Sequence, residues 1–205
     1  MRSTATHVYF HGGPLSNWAI TPFVVENIRA HLARYAPAVL EKMDARADRP
    51  QAAPVRFNCG EQWMMAMKAW FFGDDAALKK IMVSNQPVEQ KAIGRSVRGL
   101  KGGKWDAEDK ALWDSVCDDL VFAGLVLKFE QDARARRTLA SSGNRVLVEG
   151  SPRDRIWGVG IDWRDARIED ERNWLGTNRL GKALGRTRDV LGLSDGGEVR
   201  RAQTL

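Results

Sequence analysis

The sequence is poor in the residues that staple or metallate small proteins. It has 2 cysteines, Cys59 and Cys117, and 3 histidines, His7, His11 and His31, the histidines all towards the N-terminus. Two cysteines make no disulfide framework. No CxxC or HExxH pattern is present, so no metal site and no cofactor is expected. No apolar run reaches the ~18 residues a membrane helix needs. The opening stretch, MRSTATHVYFHGG, has no apolar core of a signal peptide, which makes the cytoplasm the expected compartment. The glycines match neither G-x-G-x-x-G nor a P-loop, and there is no G-x-S-x-G. Dinucleotide-binding, P-loop and α/β-hydrolase readings therefore fail.

What is present is an ordinary globular mix with two biases. The 205 residues are 43% hydrophobic and 28% charged, which suits one domain with a real core and excludes whole-chain disorder. The first bias is a net charge of +6, which permits polyanionic partners without choosing one. The excess is spread out. Residues 1–60 hold seven Lys+Arg against four Asp+Glu, and residues 178–205 hold six against three, +3 in each case. That spread disfavours a dedicated nucleic-acid groove. The second bias is 8 tryptophans.

The hydrophobic pattern predicts an α+β, helix-dominated single domain over 1–193 with a few short strands, and a flexible tail over 194–205. Strands are expected at His7–His11, Ile20–Val25, Val55–Asn58 and Val146–Glu149, each short and bounded by turn residues. Glu26–Pro54 reads as a helical insertion leaving the core, with Pro37 breaking two short helices. Glu61–Phe72 is apolar nearly all round and should be buried. Asp74 caps a helix over 75–83, and Pro87 starts another. Trp105–Gln131 is expected as the longest helical stretch, with Leu112, Val116, Leu120, Ala123 and Leu127 on one face. Asn178 reads as the N-cap of a last amphipathic helix.

Chemistry concentrates in three places. Glu61 and Lys68 are the only charges on the buried helix, almost two turns apart and so on one face. Lys68 either snorkels to water or is a desolvated amine of depressed pKa, hence a nucleophile near neutrality. Glu61 is either a helix-start acid favoured by the macrodipole or a general acid/base. The loop 151–160 carries Asp154, a positioned carboxylate or a turn residue. The segment Trp174–Lys182 leads into a helix start that could attract phosphate, with Arg179 or Lys182 nearby. Trp18, Trp63, Trp105, Trp157 and Trp174 lie in or beside these segments, as stacking platforms or as core.

In this order the segments resemble the NADAR (YbiA-like) family. The matching pieces are Gly13-Pro14-Leu15-Ser16-Asn17-Trp18; Glu61-Gln62-Trp63 through Lys68-Ala69; Gly94-Arg95; Trp105; Lys128-Phe129; Leu147-Val148-Glu149 with Asp154, Trp157, Gly158 and Gly160; and Trp174, Gly176, Asn178 and Gly181. Three features depart from the pattern: the 26–54 insertion, Gln62 where an aromatic or His often follows the glutamate, and Ser141–Asn144 where a Thr-Gly pair is more usual.

The resemblance implies an N-glycoside hydrolase that cleaves the bond between ribose C1 and an exocyclic amine on a guanine-like ring. The charge balance and the insertion favour ADP-ribosylated guanine in nucleic acid as substrate, which would pair the protein with an ADP-ribosyltransferase toxin. The alternatives are a phosphorylated ribosylamino-pyrimidinone of riboflavin biosynthesis and a module that binds ADP-ribose without cleaving it. Glu61, Lys68 and Asp154 are the expected catalytic residues. Ser16, Asn17, Trp18, Arg95, Trp105, Trp157, Gly158, Trp174, Gly176 and Asn178 are the expected substrate contacts.

Overall fold

A computed structural model describes residues 1–44 and 54–194. The architecture is α+β and helix-dominated, as the hydrophobic pattern predicts. The chain divides into two compact units, one made of Met1–Ala19 with the chain from Phe129 onward, the other of Ile20–Lys128.

The Ile20–Lys128 unit is built on helices. Its strands β3 (Phe23–Val25) and β4 (Val55–Phe57) pair antiparallel, Phe23 opposite Phe57. Helices α1 (Ile28–Tyr35) and α2 (Pro37–Asp44) meet at Pro37, whose ring cannot continue the first helix. The segment expected to leave the core is packed into it along its described part: Leu32, Ala36 and Val39 are each at most 1% exposed. The rest of that segment, 45–53, and the expected tail beyond 194 lie outside the described residues.

Helix α3 (Gly60–Phe72) is the unit's centre, and 11 of its residues are buried. It stops at Gly73, which is left-handed at φ 78°, as a C-terminal glycine can be without strain. Helices α4 (Asp75–Val83) and α5 (Pro87–Arg95) pack on it. Asp74 caps α4 by accepting from Ala77 N–H and also holds Arg98 through a fork of two hydrogen bonds at 3.1 and 3.2 Å. The Arg98 guanidinium and backbone donors hold the Asp74 carboxyl down at about 2.

The single long helix expected over 105–131 is two: α6 (Ala107–Asp114) and α7 (Cys117–Gln131). Ser115 turns the chain by donating its hydroxyl to Leu112 O and its N–H to Ala111 O and Leu112 O. The single apolar face also dissolves, because Val121, Phe122, Leu125 and Val126 are as buried as Leu120 and Ala123.

The other unit contains β1 (Arg2–Ser3), β2 (His7–Phe10), α8 (Ala133–Ala140), β5 (Val146–Glu149) and α9 (Arg179–Val190). The sheet order is β1-β2-β5, with β2 and β5 parallel and Phe10 opposite Glu149. Between β5 and α9 the chain is nearly all loop. Three Asp-x-Arg units stiffen it: Asp162 with Arg164, Asp165 with Arg167 and Asp170 with Arg172. In each, the aspartate also accepts the backbone N–H two residues on, which is the Asx-turn that favours this residue in loops.

Candidate functional site

Lys68 stands in an aromatic box assembled by tight helix packing. Helix α5 approaches α3 at Gly94, where a Cβ would fall 1.9 Å from Met65 Sδ. That approach brings the Gly94 carbonyl to Lys68 Nζ, which donates to it at 2.9 Å. Below the loop after α5, Asp109 accepts from Leu100 N–H and Asp106 N–H, and Asp106 accepts from Asp109 N–H. This reciprocal cap fixes the start of α6, with Trp105 just before it and Trp113 near its end. Lys68 Nζ lies 4.1 Å from the Trp105 ring centre and 5.6 Å from that of Trp113. Phe72 packs against Trp105 at 4.4 Å.

Burial pushes the Lys68 ammonium down to about 8, and the nearby Arg95 charge pushes the same way. The rings and the carbonyl favour the charged amine, yet desolvation outweighs them. Of the two sequence readings, the desolvated amine is the one the geometry resembles. Trp113 carries no motif, and only its place on the short helix that Trp105 precedes could have pointed to it.

Glu61 is the second residue of α3 and is 3% exposed. Lys128, at the end of the same unit, is 0% exposed, and the charges of both residues act on the buried Cys59 thiol. Gln62 is spent on structure. Its oxygen accepts from Asn58 N–H at 2.7 Å, and its nitrogen donates to Ile81 O and Ser84 O. Trp63 is core, donating its indole N–H to Leu120 O at 2.7 Å. Arg95 is exposed at the end of α5.

In the other unit the expected site residues sort into two kinds. Some shape backbone. Asn178 does not act as a side-chain cap. It is left-handed at φ 53° without a capping bond, and its amide instead accepts from Glu149 N–H and donates to Leu147 O. A Cβ at Gly176 would fall 2.4 Å from Gly158 O. The N–H groups of Thr177, Asn178, Arg179 and Leu180 donate to the carbonyls of Arg155, Gly158, Ile156 and Trp157. The amides expected to face phosphate at this helix start are therefore turned to protein carbonyls. Trp174 donates to Ile168 O and packs on the Tyr9–Val148–Val159–Ile161–Ile168 cluster.

The others lie in the loops that follow β2 and β5. Asn17 is 6% exposed, and its Oδ1 is buried with no hydrogen-bond donor among the described residues. Ser16 Oγ accepts from Trp18 N–H, and Trp18 is 42% exposed. Asp154 holds its loop by accepting from Ile156 N–H and Trp157 N–H through one oxygen. Gly158 lies beside Glu149, where a Cβ would meet Glu149 O at 2.8 Å. Among the described residues no group of three or more His, Cys, Asp or Glu could hold a metal ion. Among the described residues no helix is long and apolar enough to cross a membrane.

Comparison with known proteins matches this arrangement to the NADAR domain over residues 7–192. The chain belongs to the NADAR family. It is 35% identical over 151 residues to Protein irg-1 of Caenorhabditis elegans, covering 74% of this chain and 68% of that one. It is 39% identical over 129 residues to N-glycosidase R617 of Acanthamoeba polyphaga mimivirus, covering 63% and 71%. It is 31% identical over 132 residues to N-glycosidase Npun_R5314 of Nostoc punctiforme, covering 64% and 72%. The fold is similar to the solution structure of Escherichia coli YbiA, with a TM-score of 0.61 and 21% identity, covering 100% of this chain and 92% of that one. The NADAR match runs through α1 and α2.

Proposed function

We propose that this NADAR protein is an N-glycosidase that removes ADP-ribose from ADP-ribosylated guanine, with Lys68 as its nucleophile and Glu61 as its proton carrier. The general activity rests on family membership and on relatives named N-glycosidases. The observation that carries the residue assignment is the Lys68 amine, desolvated to about 8 and fixed by Gly94 O and two tryptophans. A substantial neutral fraction at physiological pH is what nucleophilic attack needs.

The steps balance without a redox partner. The ribose ring opens as its oxygen leaves C1 and takes a proton, and the exocyclic nitrogen forms an iminium with C1. Neutral Lys68 adds to C1, the exocyclic amine departs with a proton, and a Schiff base to Lys68 remains. Water adds to C1 and expels the lysine, and the sugar recloses. Glu61 moves protons at Lys68 Nζ and the sugar oxygen. Asp154 orients the ribose or the water. Arg95 meets phosphate. Trp105 is assigned to stacking on the ring, and Trp18, Trp157, Gly158, Trp174, Gly176 and Asn178 to substrate contact. The buried, unpartnered Trp105 indole N–H is a donor near Lys68, and the orphaned Asn17 oxygen is an acceptor in its own unit; each supports a binding role for its own residue.

The test is a side-by-side assay on an ADP-ribosylated guanine oligonucleotide and on a phosphorylated ribosylamino-pyrimidinone, with released sugar read by mass. ADP-ribose release from the first is the expected result, falling ~10²-fold or more in Lys68→Ala and Glu61→Ala. Borohydride during turnover should leave a sugar adduct on the intact protein. Release from the second substrate alone would move the assignment to that branch, and binding without release from either would make the protein a reader. Absence of an adduct with activity surviving in Lys68→Arg would leave Lys68 an electrostatic role, with water attacking C1 directly.

A further inference from the structure

The parallel pairing of β2 and β5 places two titratable residues side by side that the scheme above does not use. Phe10 lies opposite Glu149 at the carboxyl ends of the two strands, and Gly150 N–H closes the pair on Phe10 O at 2.7 Å. The next residue of β2's chain, His11, then stands beside the last residue of β5. His11 Nδ1 is 2.7 Å from Glu149 Oε1.

The two ends of this pair are unlike. The Glu149 side chain is 8% exposed and that of His11 is 51% exposed. The carboxylate is also rigidly seated. Glu149 N–H is held by the Asn178 amide at 3.1 Å and its carbonyl by Val159 N–H at 3.0 Å. A Cβ at Gly158 would meet Glu149 O at 2.8 Å and Glu149 Cγ at 3.3 Å, so glycine there leaves that volume to the glutamate. With Glu149 ionised, Nδ1 is the donor and the lone pair sits on Nε2, at the ring's other side. A buried carboxylate fixing the tautomer of a half-exposed imidazole is the arrangement that prepares histidine for proton transfer. His11 also acts on the charge of Asp162, which Arg164 already engages through two hydrogen bonds. The short loop that follows His11 also carries the buried, unpartnered Asn17 Oδ1.

We propose that His11 and Glu149 form an acid–base dyad, His11 Nε2 exchanging protons with the reacting N-riboside and Glu149 positioning the ring. The assignment rests on the N-glycosidase reading. As the C1–N bond breaks, imidazolium Nε2–H gives its proton to the departing exocyclic nitrogen. As the C1–O bond forms, Nε2 takes a proton from the adding water, which restores the imidazolium. One proton leaves and one returns.

The experiment compares wild type, His11→Gln, His11→Ala and Glu149→Gln on whichever N-riboside the wild type hydrolyses, with kcat and KM followed across pH. Expected are a ~10²-fold fall in kcat for His11→Gln at nearly unchanged KM, and recovery of His11→Ala by free imidazole. Glu149→Gln should also lower kcat at nearly unchanged KM, because the ring loses the carboxylate that orients it and balances its charge. His11 is half-exposed, so its variants should fold, and thermal melting checks the buried Glu149→Gln. Wild-type kcat in His11→Gln, or no imidazole rescue, overturns the dyad while leaving the N-glycosidase reading intact. A wild type that releases no sugar from any N-riboside overturns both.

Discussion

The two units bring their parts together differently. In the helical Ile20–Lys128 unit, the close approaches at glycines run into side chains. A Cβ at Gly94 meets Met65, one at Gly99 meets Asp109, and one at Gly124 meets Trp63. In the unit that holds β2, β5 and α9, they run into backbone. A Cβ at Gly150 meets Trp163 Cα, one at Gly176 meets Gly158 O, and one at Gly181 meets Leu147 O. The first unit is interdigitated helix packing around Trp63 and α3. The second is loop laid on strand, where carbonyls and amides need each other at short range. Chemistry follows the same division. Lys68 is tuned by desolvation among rings, whereas Asp154, His11 and Glu149 are placed by hydrogen-bonded loop and strand ends.

Substitutions test this contrast. The largest effect should come from Trp63→Ala, which empties a residue 1% exposed and packed against Phe23, Phe57 and His31. A loss of about 3–5 kcal/mol is expected from urea unfolding. Next is Gly181→Ala, whose Cβ would sit 2.0 Å from Leu147 O. Backbone must move there, at a cost of about 1–3 kcal/mol. Gly94→Ala meets the far end of a flexible methionine instead, so it should cost less than Gly181→Ala. The reverse order would mean that the two units do not differ in this way.

Asp74→Ala should cost about 1–2 kcal/mol as a lost helix cap. The Asp74 carboxyl is held down at about 2. Its contribution should be full above the unfolded value near pH ~4 and disappear as pH falls towards 2. Wild type and variant should therefore converge in stability in acid. Lys68 has the opposite sign of consequence. Its ammonium is disfavoured in the folded state, so folding is penalised below about 8. The penalty lifts as pH rises from there towards ~10.4, the unfolded value. The melting temperature of wild type should gain on that of Lys68→Met across that window, and Lys68-dependent turnover should rise through pH 8. The smallest effect is expected at Arg172, 90% exposed in its pair with Asp170. Arg172→Ala should leave the melting temperature unchanged.

Much of the fold can be read from local pattern. Helix α4 begins and ends where Asp74 and the apolar spacing place it, and β5 is Val146–Glu149 in both sequence and structure. Pro37 separates α1 from α2 because its ring chemistry acts within one turn. The break at Ser115 is not readable, since it lacks proline or glycine and depends on hydroxyl and amide bonds that compete only once the flanking helices are packed. Asn178 misleads for the same reason. Its residue type suits a cap, but β5 offers both an amide and a carbonyl across 29 and 31 positions.

Residue order alone is enough to place this chain as a helix-rich member of its family, with a lysine and a glutamate on one buried helix. Those are properties of periodicity and residue order. Only the tertiary structure decided that Lys68 lies under Trp105 and Trp113, and that His11 meets Glu149 across 138 positions. Desolvation and strand register depend on which distant segments share a space, and no local pattern encodes that.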